Sequence, residues 1–144
     1  MMKIPKEKYG LLASIICFVL SLILPVYLRF PLNTTTSGYG LEGFGYEFLT
    51  LGWIMLLEYV PDFIVWFSNI TLVLSWLFYK KKISNYFAYF SAGMMSLYFL
   101  DYLLNLEIFE IVYHQYWPCG LLFWVASGVL MAIFSFKKTK ALNK

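Results

Sequence analysis

The residues of this chain that could do chemistry are few, and most of them are acids. Glu107, Glu110 and His114 are spaced three and four apart, so on a helix they would share one face and could hold a metal ion. His114 is the only histidine and has no cysteine partner in the pattern, and a solvated acidic loop explains the same residues. The chain also lacks an H-E-x-x-H motif and a glycine-rich phosphate loop. The sequence therefore identifies no catalytic, cofactor-binding or metal-binding residue, and it favours a binding protein over an enzyme.

Two polar residues, Asp101 and Asn69, lie within apolar stretches. Apart from Asp62 in the opening turn of a span, Asp101 is the only carboxylate inside a predicted membrane span, and an ionised acid in hydrocarbon is costly enough to suggest a function. It lies about one turn from the end of that span, where water and lipid head groups could reach it, so an interfacial role competes with a proton- or ligand-linked one. Asn69 lies about two turns inside another span, where its amide should find a partner on a neighbouring helix or contact a substrate.

The apolar stretches that carry these residues predict an integral membrane protein. The chain is 61% hydrophobic and only 13% charged, far from the balance of a soluble domain. Each crossing needs roughly 20 apolar residues, and four stretches of about that length occur at residues 9–28, 61–80, 86–104 and 117–136. We therefore expect an all-α membrane protein, residues 1–144 forming a single four-transmembrane-helix bundle embedded in the lipid bilayer.

The distribution of charge predicts the orientation of these spans. Ten of the eleven basic residues lie near the two chain ends or in the run 80–82, and the acids lie mostly between them. Because lysine-rich segments stay on the cytoplasmic side of a membrane, both termini should be cytoplasmic. Lysines beside span ends meet anionic lipid head groups, so the net charge of +3 does not indicate nucleic-acid binding.

The longest predicted connection, residues 31–60, lies on the outer side. Its first part is rich in Thr, Ser, Asn and Gly, a composition typical of turns. Residues 48–60 are apolar, but thirteen residues are too few to cross the bilayer. We expect an extra short helix between spans 1 and 2 that is either interfacial or re-entrant.

Three short motifs resemble those of a group of proteins. The run GFGYEFLTLGW at residues 43–53 resembles a G-x-E-x-L-x-x-G-W outer-loop motif of small uncharacterised bacterial four-span proteins, while WFSN at 66–69 and FWVAS at 123–127 resemble elements of their later spans. The group has no established activity, but the resemblance implies a protein of a bacterial inner membrane. The resemblance implies that Glu47, Trp53, Trp66 and Asn69 form a shared outward-facing feature, with the short apolar segment folded against the second span.

Two classes of function are consistent with these observations. The first is a small accessory, assembly or immunity-type protein that acts on a membrane-protein partner through its helices and outer loop. The second is a small transporter or membrane-embedded enzyme that uses Asp101, Asn69 and the acids of the outer loops. The lack of a catalytic motif favours the first. The sequence does not determine the oligomeric state.

Overall fold

The described part of the chain is mostly helical. The computed structural model describes residues 8–28, 41–51, 60–104 and 119–142. The elements in this part of the chain are α1 (Tyr9–Ile23), β1 (Pro25–Leu28), β2 (Leu41–Phe44), α2 (Gly45–Leu51), α3 (Val60–Leu77), α4 (Ile83–Leu104) and α5 (Cys119–Leu142). The two strands form a small antiparallel sheet.

Three of these helices, α3, α4 and α5, are long and apolar enough to cross a membrane. These three helices lie near the predicted spans at residues 61–80, 86–104 and 117–136, and they agree with the prediction of an all-helical protein. α1 is shorter, with 15 residues, which at 1.5 Å per residue is about 22 Å. Its length is less than the roughly 30 Å of a hydrocarbon core.

The end of α1 differs from the expected span of residues 9–28, because the helix stops at Ile23. Pro25 lacks a backbone N–H and disfavours helical geometry in the residue before it. Leu24 is accordingly extended, with φ −78° and ψ 149°. The chain then continues as β1, which pairs Pro25 with Phe44 and Tyr27 with Glu42 across the sheet. The predicted helix extended five residues too far, and part of the predicted loop is a strand.

The helices pack side by side as antiparallel neighbours. α1 lies against α5, α5 against α4, and α4 against α3. The indole of Trp76 on α3 meets the ring of Phe18 on α1 edge-on, with 5.3 Å between centroids, which closes the bundle. At one end, the ammonium of Lys138 on α5 donates to the carbonyl of Tyr79 beside the Lys80–Lys82 run. We call this the lysine end.

The interior of the bundle is rich in small polar side chains, and its exterior is apolar. Eight serines have 4% or less of their surface exposed: Ser14, Ser21, Ser68, Ser75, Ser84, Ser91, Ser127 and Ser135. By contrast, Ile16 is 49% exposed, Leu77 70% and Ile133 47%. Small polar residues allow close helix contact and hydrogen bonding in lipid, where the hydrophobic effect gives helices no reason to associate. This distribution is typical of a membrane protein.

Hydrogen bonds from the polar interior join helices across the bundle. The hydroxyl of Ser14 on α1 donates to the Ser127 carbonyl on α5 at 2.7 Å and accepts from the Trp76 indole on α3 at 3.0 Å. Thr71 on α3 and Ser91 on α4 share a hydrogen bond of 2.7 Å. These hydrogen bonds fix the long helices relative to one another, and the fixed helices in turn position the residues at the end opposite the lysines.

Candidate ligand cavity at the loop end of the bundle

The end opposite the lysines, which we call the loop end, is where the strands and α2 meet the long helices. α2 begins there with a hydrogen bond from the Phe44 backbone N–H to Glu47 Oε2 at 2.9 Å. Phe44 directly precedes the helix and Glu47 is its third residue, so this is the carboxylate half of a capping box. Glu47 therefore has a local structural role at the start of α2.

A close backbone contact fixes α2 against α1. A Cβ atom on Gly45 would lie 2.0 Å from the Ser21 carbonyl oxygen and 2.9 Å from the Leu22 Cα. Both atoms belong to the backbone of α1 and cannot move aside as a flexible side chain would. Only glycine permits this approach, so the position of α2 depends on Gly45.

A chain of hydrogen bonds then connects α2 to two long helices. The Trp66 indole N–H on α3 donates to the Leu49 carbonyl on α2 at 2.9 Å. One turn further along α3, the Asn69 Nδ2 donates to the Trp66 carbonyl at 2.9 Å, and its Oδ1 accepts from the Trp124 indole N–H on α5 at 2.6 Å. Asn69 therefore joins α3 to α5, and its amide has partners for both its oxygen and its nitrogen.

A cavity of about 170 Å³ lies beside this network. Its walls come from the end of α1, β1, α2, the beginnings of α3 and α5, and Tyr98 of α4. Most of the lining is apolar, and its polar or aromatic side chains include Phe48, Asp62, Trp66, Asn69, Tyr98 and Trp124. Such a concave site with few polar groups is the usual form of a small-molecule site.

The structure brings together only some of the residues that the sequence singles out. Trp66 and Asn69 both line the cavity, and Glu47 lies nearby on α2 without lining it. Asp101 does not line the cavity. None of its surface is exposed, so protein encloses this side chain although its place near the end of α4 suggests contact with water.

Several residues with predicted roles lie outside the described residues. They are Trp53, Glu107, Glu110 and His114. Of the four residues expected to form a shared outward-facing feature, the structure therefore describes Glu47, Trp66 and Asn69. The hypothesis of a metal site in the acidic loop stays a hypothesis. Within the four described segments, no group of three His, Cys, Asp or Glu side chains could hold a metal ion.

Sequence analysis proposed a site role for only two of the cavity residues, and those it missed include Asp62, Tyr98 and Trp124. Asp62 is in the first turn of α3, where an acid is readily explained by the helix dipole alone. Trp124 carries a clearer signal, because it lies more than a turn inside the last apolar stretch and a buried indole N–H needs an acceptor. Asn69 is the matching acceptor, but their pairing depends on helix packing that one sequence does not determine.

Comparison with known proteins gives no relative for this chain. No protein-family model, no curated protein and no solved structure matches it. The resemblance to small bacterial four-span proteins therefore stays a prediction, and the function must be argued from the geometry alone.

Proposed function

We propose that this chain is a four-span protein of a bacterial inner membrane with both termini in the cytoplasm. The lysine end supports this orientation, since Lys138 and the Lys80–Lys82 run lie side by side there and positive charge favours the cytoplasmic side. In this arrangement α2, the strands and the cavity face outward.

The first span in this proposal combines a helix and a strand. α1 supplies about 22 Å, and the four residues of β1 add about 13 Å at 3.3 Å per residue. Extended backbone within a bilayer must have its polar groups satisfied by protein. Pairing of β1 with β2 and packing against α5 supply those contacts. Together the two elements are long enough to cross a hydrocarbon core.

We further propose that the protein is an accessory, assembly or immunity-type protein that binds a membrane-protein partner through its loop end. The observation that carries this proposal is the Trp66–Leu49 hydrogen bond, which fixes α2 on the bundle. The fixed helix presents Tyr46 and Phe48 with 52% and 48% of their surfaces exposed. Exposed aromatic side chains on a rigid support are common anchors of protein interfaces.

Co-purification from native membranes in mild detergent tests the partner proposal. Trp66→Phe removes the indole N–H that holds α2, whereas Trp76→Phe removes the N–H that reaches Ser14. A stoichiometric partner should accompany the wild type and Trp76→Phe and be depleted from Trp66→Phe at equal protein levels. If the wild type elutes alone or only with copies of itself, the accessory function is wrong. For the immunity form, expression should protect cells from one pore-forming toxin.

The alternative, a small transporter or membrane-embedded enzyme, is favoured by one observation, the enclosure of Asp101. Buried acids in membrane helices often belong to proton or ligand pathways. Under the accessory proposal, Asp101→Asn should act only through stability or partner binding. Loss of a pH-dependent flux or of turnover, at normal protein levels, would instead support the alternative.

A further inference from the structure

The lining of the cavity at the loop end combines aromatic rings with one acidic side chain. Trp66, Trp124 and Tyr98 supply rings with negative faces, and Asp62 supplies the carboxylate. Asp62 lies in the first turn of α3, where the positive end of the helix dipole favours its negative charge. No Lys, Arg or His is among the lining residues, all of which belong to the described part of the chain. The charge of the site is therefore complementary to a cation.

The size of the cavity selects a small ligand. Its volume is about 170 Å³, while an engineered apolar cavity of about 150 Å³ binds benzene. A compact ammonium group bearing a few methyl or methylene groups has a comparable size. A hydrated inorganic ion does not suit these walls, because the largely apolar lining could not replace its water ligands.

We propose that this cavity binds a substituted ammonium group. The methyl or methylene groups would contact Leu22, Leu49 and Leu121, which also line the cavity. The positive charge would be stabilised by the ring faces and by Asp62. Cation–π attraction is strongest for tryptophan and increases when the pair is removed from water, and aromatic cages are a common means of recognising quaternary ammonium ligands. This site is independent of any protein partner and should bind its ligand in the purified protein.

Two sources could supply such a group, a free amine or the head group of a zwitterionic lipid. Both place the same charge against Asp62 and the rings. A lipid is relevant because, in the proposed orientation, the loop end lies near the level of the head groups. The two sources differ in whether the ligand is already present in the membrane, and lipid composition therefore separates them.

Titration calorimetry on the purified protein in phosphatidylglycerol nanodiscs tests the proposal, because this lipid carries no ammonium group. The probes are choline and the dimethylbutanol in which a carbon atom replaces the quaternary nitrogen of choline, so that the two have the same shape but only choline is charged. Choline should bind the wild type more tightly than dimethylbutanol by roughly tenfold. Equal affinities would mean a merely apolar cavity, and no binding of either probe would mean no site; both results overturn the proposal.

Asp62→Asn tests the charge at constant shape. It should weaken choline binding by roughly tenfold while leaving dimethylbutanol binding unchanged. Glu47→Gln is the matched control, because Glu47 does not line the cavity, and it should leave both affinities unchanged. Unchanged choline affinity in a folded Asp62→Asn variant would overturn the role of Asp62. If that variant does not fold, the comparison of the two probes in the wild type still decides the proposal.

The same titration in nanodiscs containing phosphatidylethanolamine identifies the source. A lower apparent affinity for dimethylbutanol as well as choline there would support the lipid head group as the resident ligand, since it would compete for the cavity, whereas the reduced negative surface charge of the bilayer weakens only choline. An unchanged affinity for dimethylbutanol would support a free amine. Neither arm depends on the co-purification experiment, so a missing protein partner would leave this result unaffected.

Discussion

The hydrogen bond between Trp124 and Asn69 permits a quantitative test of how the bundle is held together. This bond is 2.6 Å long and joins α5 to α3, and the Asn69 side chain that accepts it is only 8% exposed. Asn69→Ala would remove the acceptor and leave the indole N–H of Trp124 without it. An unsatisfied buried donor costs about 1–3 kcal/mol of folding free energy. Trp124→Phe would remove the donor instead and leave the Asn69 oxygen without this partner.

A double-mutant cycle isolates the contribution of this pair. The double variant Asn69→Ala/Trp124→Phe should be more stable than the sum of the single effects predicts, with a coupling of about 1 kcal/mol. Polar pairs in membrane bundles couple by about 0.6 kcal/mol on average and about 1.7 at most, and the short distance supports a value above the average. The measurement is the free energy of reversible unfolding in mixed micelles with increasing SDS.

The control for this cycle is Trp76→Phe. Its N–H bonds Ser14 rather than Asn69, and it lies seven residues from Asn69, or about 10 Å along the helix. Effects of Asn69→Ala and Trp76→Phe should therefore add to within about 0.5 kcal/mol. Additive effects for Asn69 and Trp124 as well would refute the proposed contribution of their hydrogen bond.

Two further predictions concern the placement of α2. Gly45→Ala should destabilise the protein by more than about 2 kcal/mol, because its Cβ would meet the α1 backbone. Gly93→Ala is the control and should be neutral or stabilising by up to about 1 kcal/mol, because nothing lies within 4 Å of its Cβ position. Equal changes in the thermal unfolding temperature of the two variants would contradict this account of α2. Glu47→Ala should cost about 0.5–2 kcal/mol through loss of the hydrogen bond at the start of α2, and Glu47→Gln, which keeps an acceptor, should cost less than half as much in the same unfolding assay.

Much of the helical framework could be predicted from the sequence, because hydrophobic length is a strong signal. The ends of the helices were less predictable. Pro25 provides a local reason for α1 to end early, but the strand that follows depends on β2, which begins thirteen residues after β1 ends. Pairing across such a connection leaves little local pattern in four-residue strands. The interfacial or re-entrant helix remains partly untested, since α2 covers residues 45–51 and residues 52–59 lie outside the described segments.

The candidate site shows the same limit in another form. A polar residue within an apolar stretch is visible in the sequence, and so is its need for a partner, as with Asn69. The identity of the partner depends on how two helices are rotated and shifted relative to each other, which brings the Trp124 indole within 2.6 Å of the Asn69 oxygen. The cavity depends on six helices and strands that meet at the loop end. Because packing rather than spacing assembles it, Asp62 and Tyr98 have no sequence pattern that connects them.

The most direct test of the central claim is the labelling of single cysteines in intact cells. Cys17 and Cys119 would be replaced by alanine, and one cysteine introduced by Leu104→Cys at the loop end or by Lys81→Cys at the lysine end; both native side chains are exposed. A membrane-impermeant maleimide should label Leu104→Cys in intact cells and Lys81→Cys only after the membrane is permeabilised. Labelling of both in intact cells, or of Lys81→Cys alone, would contradict the proposed four-span topology with cytoplasmic termini.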